Sequence, residues 1–261
     1  MALSKISQFK AWLKRNRTSS NFFLRWGIKI FDAFVSFVRT IKGLLTNKDT
    51  RAIYYNRIFH SKRIHQTTSS TCLNRYPEIF YGCMQYFEGR SDIRILSFGC
   101  STGEEVITLR QYFPDAQIVG AEINKNSLEI CKKRKLDDKI SFVDSLPEEI
   151  QKHAPFDAIL CMAVLQRTPG VIAEKGITDL KKIYPFEKFE DQIIELDGYL
   201  KPGGLMVVHM SQYDFTDTKL ASNYNHYGDY NQDPYGPYVF DFNSKLKAEH
   251  TGRHSIFIKN R

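Results

Sequence analysis

Two glycines and a set of carboxylates carry the first chemical signal. In "ILSFGCSTGEEV", residues 95–106, Gly99 and Gly103 bracket Cys100, Ser101 and Thr102, and Glu104 and Glu105 follow at once. Glu122 comes 19 residues after Gly103, and Asp144 closes "SFVD". A glycine turn between a strand and a helix aims backbone N–H groups at a ligand. An acid about 20 residues further on sits where a carboxylate meets ribose hydroxyls. Such a carboxylate accepts from both the 2′- and the 3′-OH and disfavours a 2′-phosphate. Asp144, one strand further on, is placed to accept from an adenine amino group. The turn lacks the Lys that a phosphate loop needs, and its glycines lack G-x-G-x-x-G spacing. Two glutamates beside a triphosphate would repel it. The ligand that fits carries little anionic charge and some positive charge. Taken singly, each acid is also an ordinary helix cap or solvated group. Their joint placement at successive strand ends is the specific feature.

The elements that must hold these residues follow from the apolar pattern. Strands are expected at Ile93–Phe98, Gln117–Glu122, Lys139–Val143, Phe156–Met162 and Leu205–His209, the last preceded by the turn "KPGG". Helices are expected at Glu104–Phe113, Asn126–Lys135 and Phe186–Leu200. Two further strands are expected in the tail, Tyr238–Phe242 and Ser255–Lys259. Alternating strands and helices of this length imply an α/β fold. The expected architecture is a Rossmann-like, doubly wound, mostly parallel seven-stranded sheet with an N-terminal helical extension. Residues 1–63 form that basic extension and residues 64–261 the main domain. Residues 47–63 read as a polar connection and 64–90 as helices ahead of the first strand.

The extension is basic and amphipathic. Phe23, Trp26, Ile30, Phe34, Phe37, Ile41 and Leu44 recur at steps of three and four. Arg25, Lys29, Asp32, Arg39 and Lys42 interrupt the stripe, so it does not read as a spanning segment. Residues 1–90 hold 16 Lys/Arg against 4 Asp/Glu, and the remainder holds 21 against 25, for a net +8 overall. The positive charge therefore belongs to the N-terminal third. A peripheral membrane surface, an acidic partner or the protein's own core would each suit residues 20–46.

The five cysteines, Cys72, Cys83, Cys100, Cys131 and Cys161, never fall in C-x-x-C spacing. That disfavours a zinc site or a disulfide framework and points to a reducing cytoplasm, on or off the inner face of a membrane. No metal is expected.

S-adenosyl-L-methionine has the charge pattern the turn calls for: a sulfonium, an ammonium, one carboxylate and no phosphate. The motif order resembles class I S-adenosylmethionine-dependent methyltransferases over about residues 90–210, including "YLKPGGLMVV". Within that superfamily, "GCSTGEE" (residues 99–105) and "TCLNRYPEIF" (71–80) are similar to segments of the chemotaxis receptor methyltransferases. The resemblance implies that Thr71 and Arg75 cap the cofactor, with Arg75 pairing with its carboxylate. It also implies cofactor contacts for Gly99, Cys100, Ser101, Gly103, Glu122, Ile123, Asp144, Ser145 and Cys161. The chain departs from that subfamily after the fourth strand, where it reads "CMAVLQR". The acceptor is therefore not carried over.

The acceptor side is expected at the ends of the fourth and fifth strands, near Gln166, Arg167, His209, Tyr213 and Asp214. His209 and Tyr213 are the catalytic candidates, His209 as general base because its ordinary pKa is about 6.5. Residues 213–242, rich in Tyr, Asn and Asp, suit a sugar or another flat polar acceptor, and a single lysine there disfavours nucleic acid. The expected reaction is O-methylation of a small molecule or glycan. A protein carboxyl methyltransferase and a non-catalytic cofactor-binding or interaction module are the alternatives.

Overall fold

The computed structural model describes residues 2–66, 68, 70–232, 238–248 and 252–261. The chain divides into two compact units, residues 1–51 and 52–261. Residues 52–63, expected in the extension, thus belong to the larger unit.

The smaller unit consists of α1 (Ala2–Asn16), α2 (Phe22–Thr46) and the start of α3 (Lys48–Phe59). The Asn21 side chain accepts from Leu24 N–H and starts α2. Asn47 is extended and stops it, and its side chain accepts from Thr50 N–H to start α3. This recapping corrects the polar connection expected at 47–63. One Asn serves as both stop and start, and α3 has little apolar periodicity to announce it.

The remaining elements are α4 (Pro77–Tyr86), β1 (Arg94–Phe98), α5 (Glu104–Tyr112), β2 (Gln117–Glu122), α6 (Lys125–Lys133), β3 (Ile140–Asp144), α7 (Pro147–Gln151), β4 (Phe156–Met162), α8 (Pro169–Lys175), α9 (Phe186–Asp197), β5 (Leu200–His209), β6 (Tyr224–His226) and β7 (Ile256–Lys259). The strand order is β3-β2-β1-β4-β5-β7-β6. The first five strands are parallel, and β7 runs antiparallel to both its neighbours. The expected seven-stranded, mostly parallel, Rossmann-like sheet is therefore present.

Both faces of the sheet are covered, so its central strands are apolar on both sides. In β4, Phe156, Ile159 and Cys161 join one core with Phe189, Ile193 and Leu196 of α9. Ala158, Leu160 and Met162 join the other, with Phe80 of α4 and Val106 and Leu109 of α5. From Ala158 on, strand periodicity divides one apolar run between two cores, and the irregularity between Phe156 and Ala158 puts Phe156 on the side of Ile159.

Three further differences from expectation have local causes. Helix α4 starts only at Pro77, because proline disfavours a helical residue before it and Tyr76 is not helical. The described residues between 60 and 76 form no helix. Tyr238–Phe242 is not a strand: the Asp241 side chain accepts from Asn243 and Lys245 N–H groups and bends the chain into a turn. Only a single bridge, Phe240 to Leu246, remains. Strand β6 was not anticipated.

Candidate active site

The principal cleft opens at the carboxyl ends of β1, β2 and β4, where open α/β sheets place ligands. Its floor is the glycine turn. Gly99, Ser101 and Gly103 all have positive φ, at 77°, 51° and 96°. Gly99 and Cys100 N–H groups donate to Ala121 O, which ties the turn to β2. Gly103 caps α5 in a left-handed conformation that a β-carbon would strain. It underlies the turn without lining the cleft.

Glu122, at the end of β2, is buried, and its two oxygens hold the site together. One accepts from Ser101 N–H at 2.8 Å, the other from Asn124 N–H at 2.6 Å. Burial pushes its carboxyl above the usual range, while the Asn124 and Ser101 N–H groups pull it back. The Ile123 N–H also contributes, and a carboxylate's roughly four acceptor positions leave room for a ligand hydroxyl.

The two glutamates after the turn go opposite ways. Glu104 pairs with Arg134 and accepts from the Thr102 hydroxyl, while Arg134 Nε donates to Thr102 O at 2.7 Å. Glu104 therefore clamps the outside of the turn. Glu105 lines the cleft, its carboxylate accepting from Ser97 Oγ at 2.8 Å. Burial pushes Glu105 up to about 7, opposed by the Ser97 hydroxyl and the Arg75 charge.

The remaining wall is the irregular segment before α4. Thr71 and Arg75 both line the cleft. Arg75 donates to Ser70 O at 3.1 Å, and its guanidinium lies 5.2 Å from the Tyr76 ring centre. His65, Asn56 and Met162 to Val164 complete much of the lining. His65 is buried, with Nδ1 2.8 Å from the Tyr184 hydroxyl and Nε2 3.1 Å from Gln192 Oε1. Burial and the Lys188 charge depress it to about 3, so it is neutral.

Of the residues expected at the cofactor, Thr71, Arg75, Gly99, Cys100, Ser101, Glu122, Ile123 and Ser145 all line this cleft. Asp144 pairs in register with Glu122 at the end of β3 but is not in the lining. Its carboxyl is raised by burial and faced by Lys125 and His60. Cys161 is turned into the core that contains α9.

The two catalytic candidates also lie outside the lining. Tyr213 is fully buried, donating to Tyr184 O at 2.5 Å, with Ser244 Oγ 3.0 Å away. It is a packing residue of the α9 core. His209 is nearly buried, with Nδ1 2.8 Å from Ser255 Oγ and its ring 4.6 Å from that of Tyr76. Burial, Arg253 and Arg75 depress it to about 4, well below a general base poised for neutral pH. The aromatic segment also lies elsewhere: Tyr224 donates to Asp197, and Tyr230 to Gln85. Among its described residues, none lines the cleft. Residues 233–237 of that segment are outside the described residues.

Sequence reasoning missed Glu105 as a site residue, although its position after the turn was visible. It also missed Asn56, which donates to Ile123 O at 2.9 Å, and His65, for which no local signal exists. No cluster of potential metal ligands occurs among the described residues.

The donor set fits the expected cofactor. Glu105 and Glu122 line the cleft together with Arg75, a set that suits hydroxyls, an ammonium and a carboxylate. A segment of 93 residues is 31% identical to the malonyl-[acyl-carrier protein] O-methyltransferase of Priestia megaterium, covering 36% of this chain and 32% of that protein. The chain thus spans about a third of that curated relative's length. The plantazolicin methyltransferase BpumL, solved with SAH, is similar at 14% identity and a TM-score of 0.34, over 64% of this chain and 55% of that one. Streptomyces venezuelae DesVI is similar at 16% identity and a TM-score of 0.36, over 53% and 50%. The profile of the methyltransferase domain family matches residues 90–242, more than half of the chain. The chain belongs to the methyltransferase domain family, and S-adenosylmethionine is its cofactor.

Proposed function

We propose that the chain transfers a methyl group from S-adenosylmethionine to an oxygen of a small-molecule acceptor. The carrying observation is the cleft under the Gly99–Ser101 turn, with Glu122 and Glu105 presented to it. In this reading Glu122 holds the ribose hydroxyls, Glu105 faces the ammonium, and Arg75 meets the cofactor's carboxylate as a bidentate donor. Asp144, at the neighbouring strand end, remains our candidate for the adenine amino group. Bound S-adenosylmethionine supplies a methyl group already activated on sulfur, which leaves as a thioether when the acceptor oxygen forms its bond to carbon.

The protein's remaining task is to hold the oxygen in line and exclude water. The two histidines near the cleft, at about 3 and about 4, make weak bases. With Glu105 assigned to the ammonium, this supports an acceptor oxygen already acidic or ionised, such as a carboxylate or phenol, over a sugar hydroxyl. The O-methyl transfer in the name of the Priestia megaterium relative is consistent with this. The protein carboxyl methyltransferase reading rests on "GCSTGEE" and needs the same oxygen chemistry. The test is incubation with methyl-labelled donor and separate small-molecule and protein fractions. Label in base-labile small-molecule esters or ethers supports the reading, and label confined to protein shifts it to the alternative. Cofactor binding without demethylated product in any fraction would favour a non-catalytic module.

Glu105 gives a pH signature. Its carboxyl sits at about 7, above its ordinary 4.5. The folded state therefore holds this proton more tightly than the unfolded chain does. The contribution to stability is complete below pH about 4.5 and is lost as the pH rises through about 7. A cationic ligand reverses the preference by favouring the ionised form. Donor affinity should rise from pH about 6 to about 7.5 with proton release, and Glu105→Gln should flatten the profile. Calorimetry in buffers of different ionisation heat measures the released proton. A flat wild-type profile would remove Glu105 from the ammonium site.

For the N-terminal unit we propose docking on an anionic lipid surface. No helix among the described residues is long and apolar enough to cross a membrane. Yet Phe23, Trp26, Phe34 and Phe37 of α2 are exposed, Phe23 by 84%. An aromatic stripe among Arg and Lys suits a headgroup region, where each cation adds about 1 kcal/mol. Vesicles containing phosphatidylglycerol should pellet the protein and blue-shift its tryptophan emission, and added salt should weaken both effects. Phe34→Asp with Phe37→Asp should abolish binding. Failure of wild type to bind these vesicles would refute the docking.

A further inference from the structure

Beside the principal cleft lies a second one, walled by Arg57 and Ser61 on one side and by Arg167, Thr168 and Lys175 on the other. Ile64 lines both clefts. The segment carrying Arg167 leaves β4 just after Val164, which lines the first cleft. Three cations face this space, and no acidic side chain is among its described lining residues.

Arg167 is the informative member. Its backbone is pinned on both sides by Gln212, which accepts from Arg167 N–H at 2.7 Å and donates to Arg167 O at 2.9 Å. Its guanidinium lies 5.5 Å from the Tyr184 ring centre, and Nη2 reaches Ile183 O only at 3.4 Å. Nε is buried without a hydrogen-bond partner. A guanidinium donor buried without an acceptor is unfavourable. Here the like charge of Arg57 adds to the strain, and Lys188 and His65 both feel the charge of Arg167. An oxyanion in the cleft would offset this clustered positive charge, and a guanidinium is the side chain best shaped to grip one.

We propose that this second cleft binds the anionic end of the methyl acceptor, a carboxylate or a phosphate, with Arg167 as the gripping residue and Arg57 and Lys175 adding charge. The rest of the acceptor would extend past Ile64 toward the donor cleft. That the anion belongs to the acceptor rests on the methyl-transfer reading above. Anion binding itself does not.

The experiment titrates the full chain with inorganic phosphate and, separately, with malonate, at constant ionic strength in chloride. S-adenosylhomocysteine binding is measured on the same preparations. Saturable binding of either anion, weakened roughly 10-fold or more by Arg167→Ala and less by Arg167→Lys, is the expected result. S-adenosylhomocysteine affinity should stay within about twofold, since Arg167 does not line the donor cleft. Preference for phosphate assigns a phosphorylated acceptor, and preference for malonate a carboxylate. Should Arg167→Ala fail to fold, Arg57→Ala with Lys175→Ala, both at exposed positions, should weaken the same anion. The proposal is overturned if wild type that binds S-adenosylhomocysteine saturates with neither anion, or if these variants bind as wild type does. Anion binding by a protein that does not take S-adenosylhomocysteine would instead count against the methyl-transfer reading and leave the cleft in place.

Discussion

Glu122→Ala should weaken S-adenosylhomocysteine binding by roughly 10- to 100-fold, the scale of about 1–3 kcal/mol for a lost charged hydrogen bond. The carboxylate does two things at once. It accepts from Ser101 and Asn124 N–H groups, which shapes the glycine turn and the start of α6. It also lines the cleft, where we propose that it accepts from the ribose hydroxyls. Removing it strands these backbone donors at a buried site, so the variant should also lose stability on the order of 1–3 kcal/mol. Glu122→Gln separates the two roles. Its carbonyl oxygen can still accept from one N–H, but its NH2 group faces the other donor. Glu122→Gln should therefore lie between wild type and alanine in stability while remaining close to alanine in affinity. Calorimetric titration with thermal melts on the same samples decides it. A folded Glu122→Ala protein with wild-type affinity would mean that the ribose is held elsewhere.

Gly99→Ala should be the most damaging small substitution in the turn. Gly99 has φ of +77°, and a β-carbon built there would meet Val164 Cγ2 at 2.5 Å and Cγ1 at 3.1 Å. The left-handed backbone alone costs an L-residue about 1–2 kcal/mol. Val164 is β-branched and has few rotamers with which to yield. Together the two effects should lower stability by roughly 2–4 kcal/mol, or roughly 4–16 °C in melting temperature for a chain of this size. Val164 also lines the cleft, so displacing it should narrow the donor site and weaken cofactor binding beyond the loss of stability. Adding Val164→Ala should restore part of the melting temperature, since it removes the clash, but leave the backbone penalty. A Gly99→Ala melting temperature within about 1 °C of wild type would show that the turn yields more freely than its contacts imply.

What the sequence determined on its own is the local and periodic part of this protein. The apolar run of β4 is legible because a parallel strand covered on both faces has no polar face to show. The stripe of α2 is legible because its step of three and four follows from helix geometry. The turn is legible because positive φ selects glycine at Gly99 and Gly103. Glu122 is legible because one βαβ unit has a nearly constant length, so counting along the chain locates the next strand end. Each of these depends on neighbours within about one supersecondary unit.

Tertiary structure alone decided which of those residues share a surface. Adjacent glutamates read alike in sequence, yet Glu104 turns out to Arg134 and Glu105 turns in to the cleft, because successive helical residues point about 100° apart. Tyr213 reads as a site residue in sequence and is a core residue, since its ring packs against Phe186 and Phe189 of α9 and against Phe240. The described residues between 60 and 76 carry no periodicity, yet they bring His65, Thr71 and Arg75 over the strand ends. Nor does spacing announce that Arg57 and Arg167, 110 positions apart, face one cleft without an acid between them. Patterns along a chain encode periodicity and turns. Which face meets which, and which charge is left without a partner, is settled only by packing between distant segments.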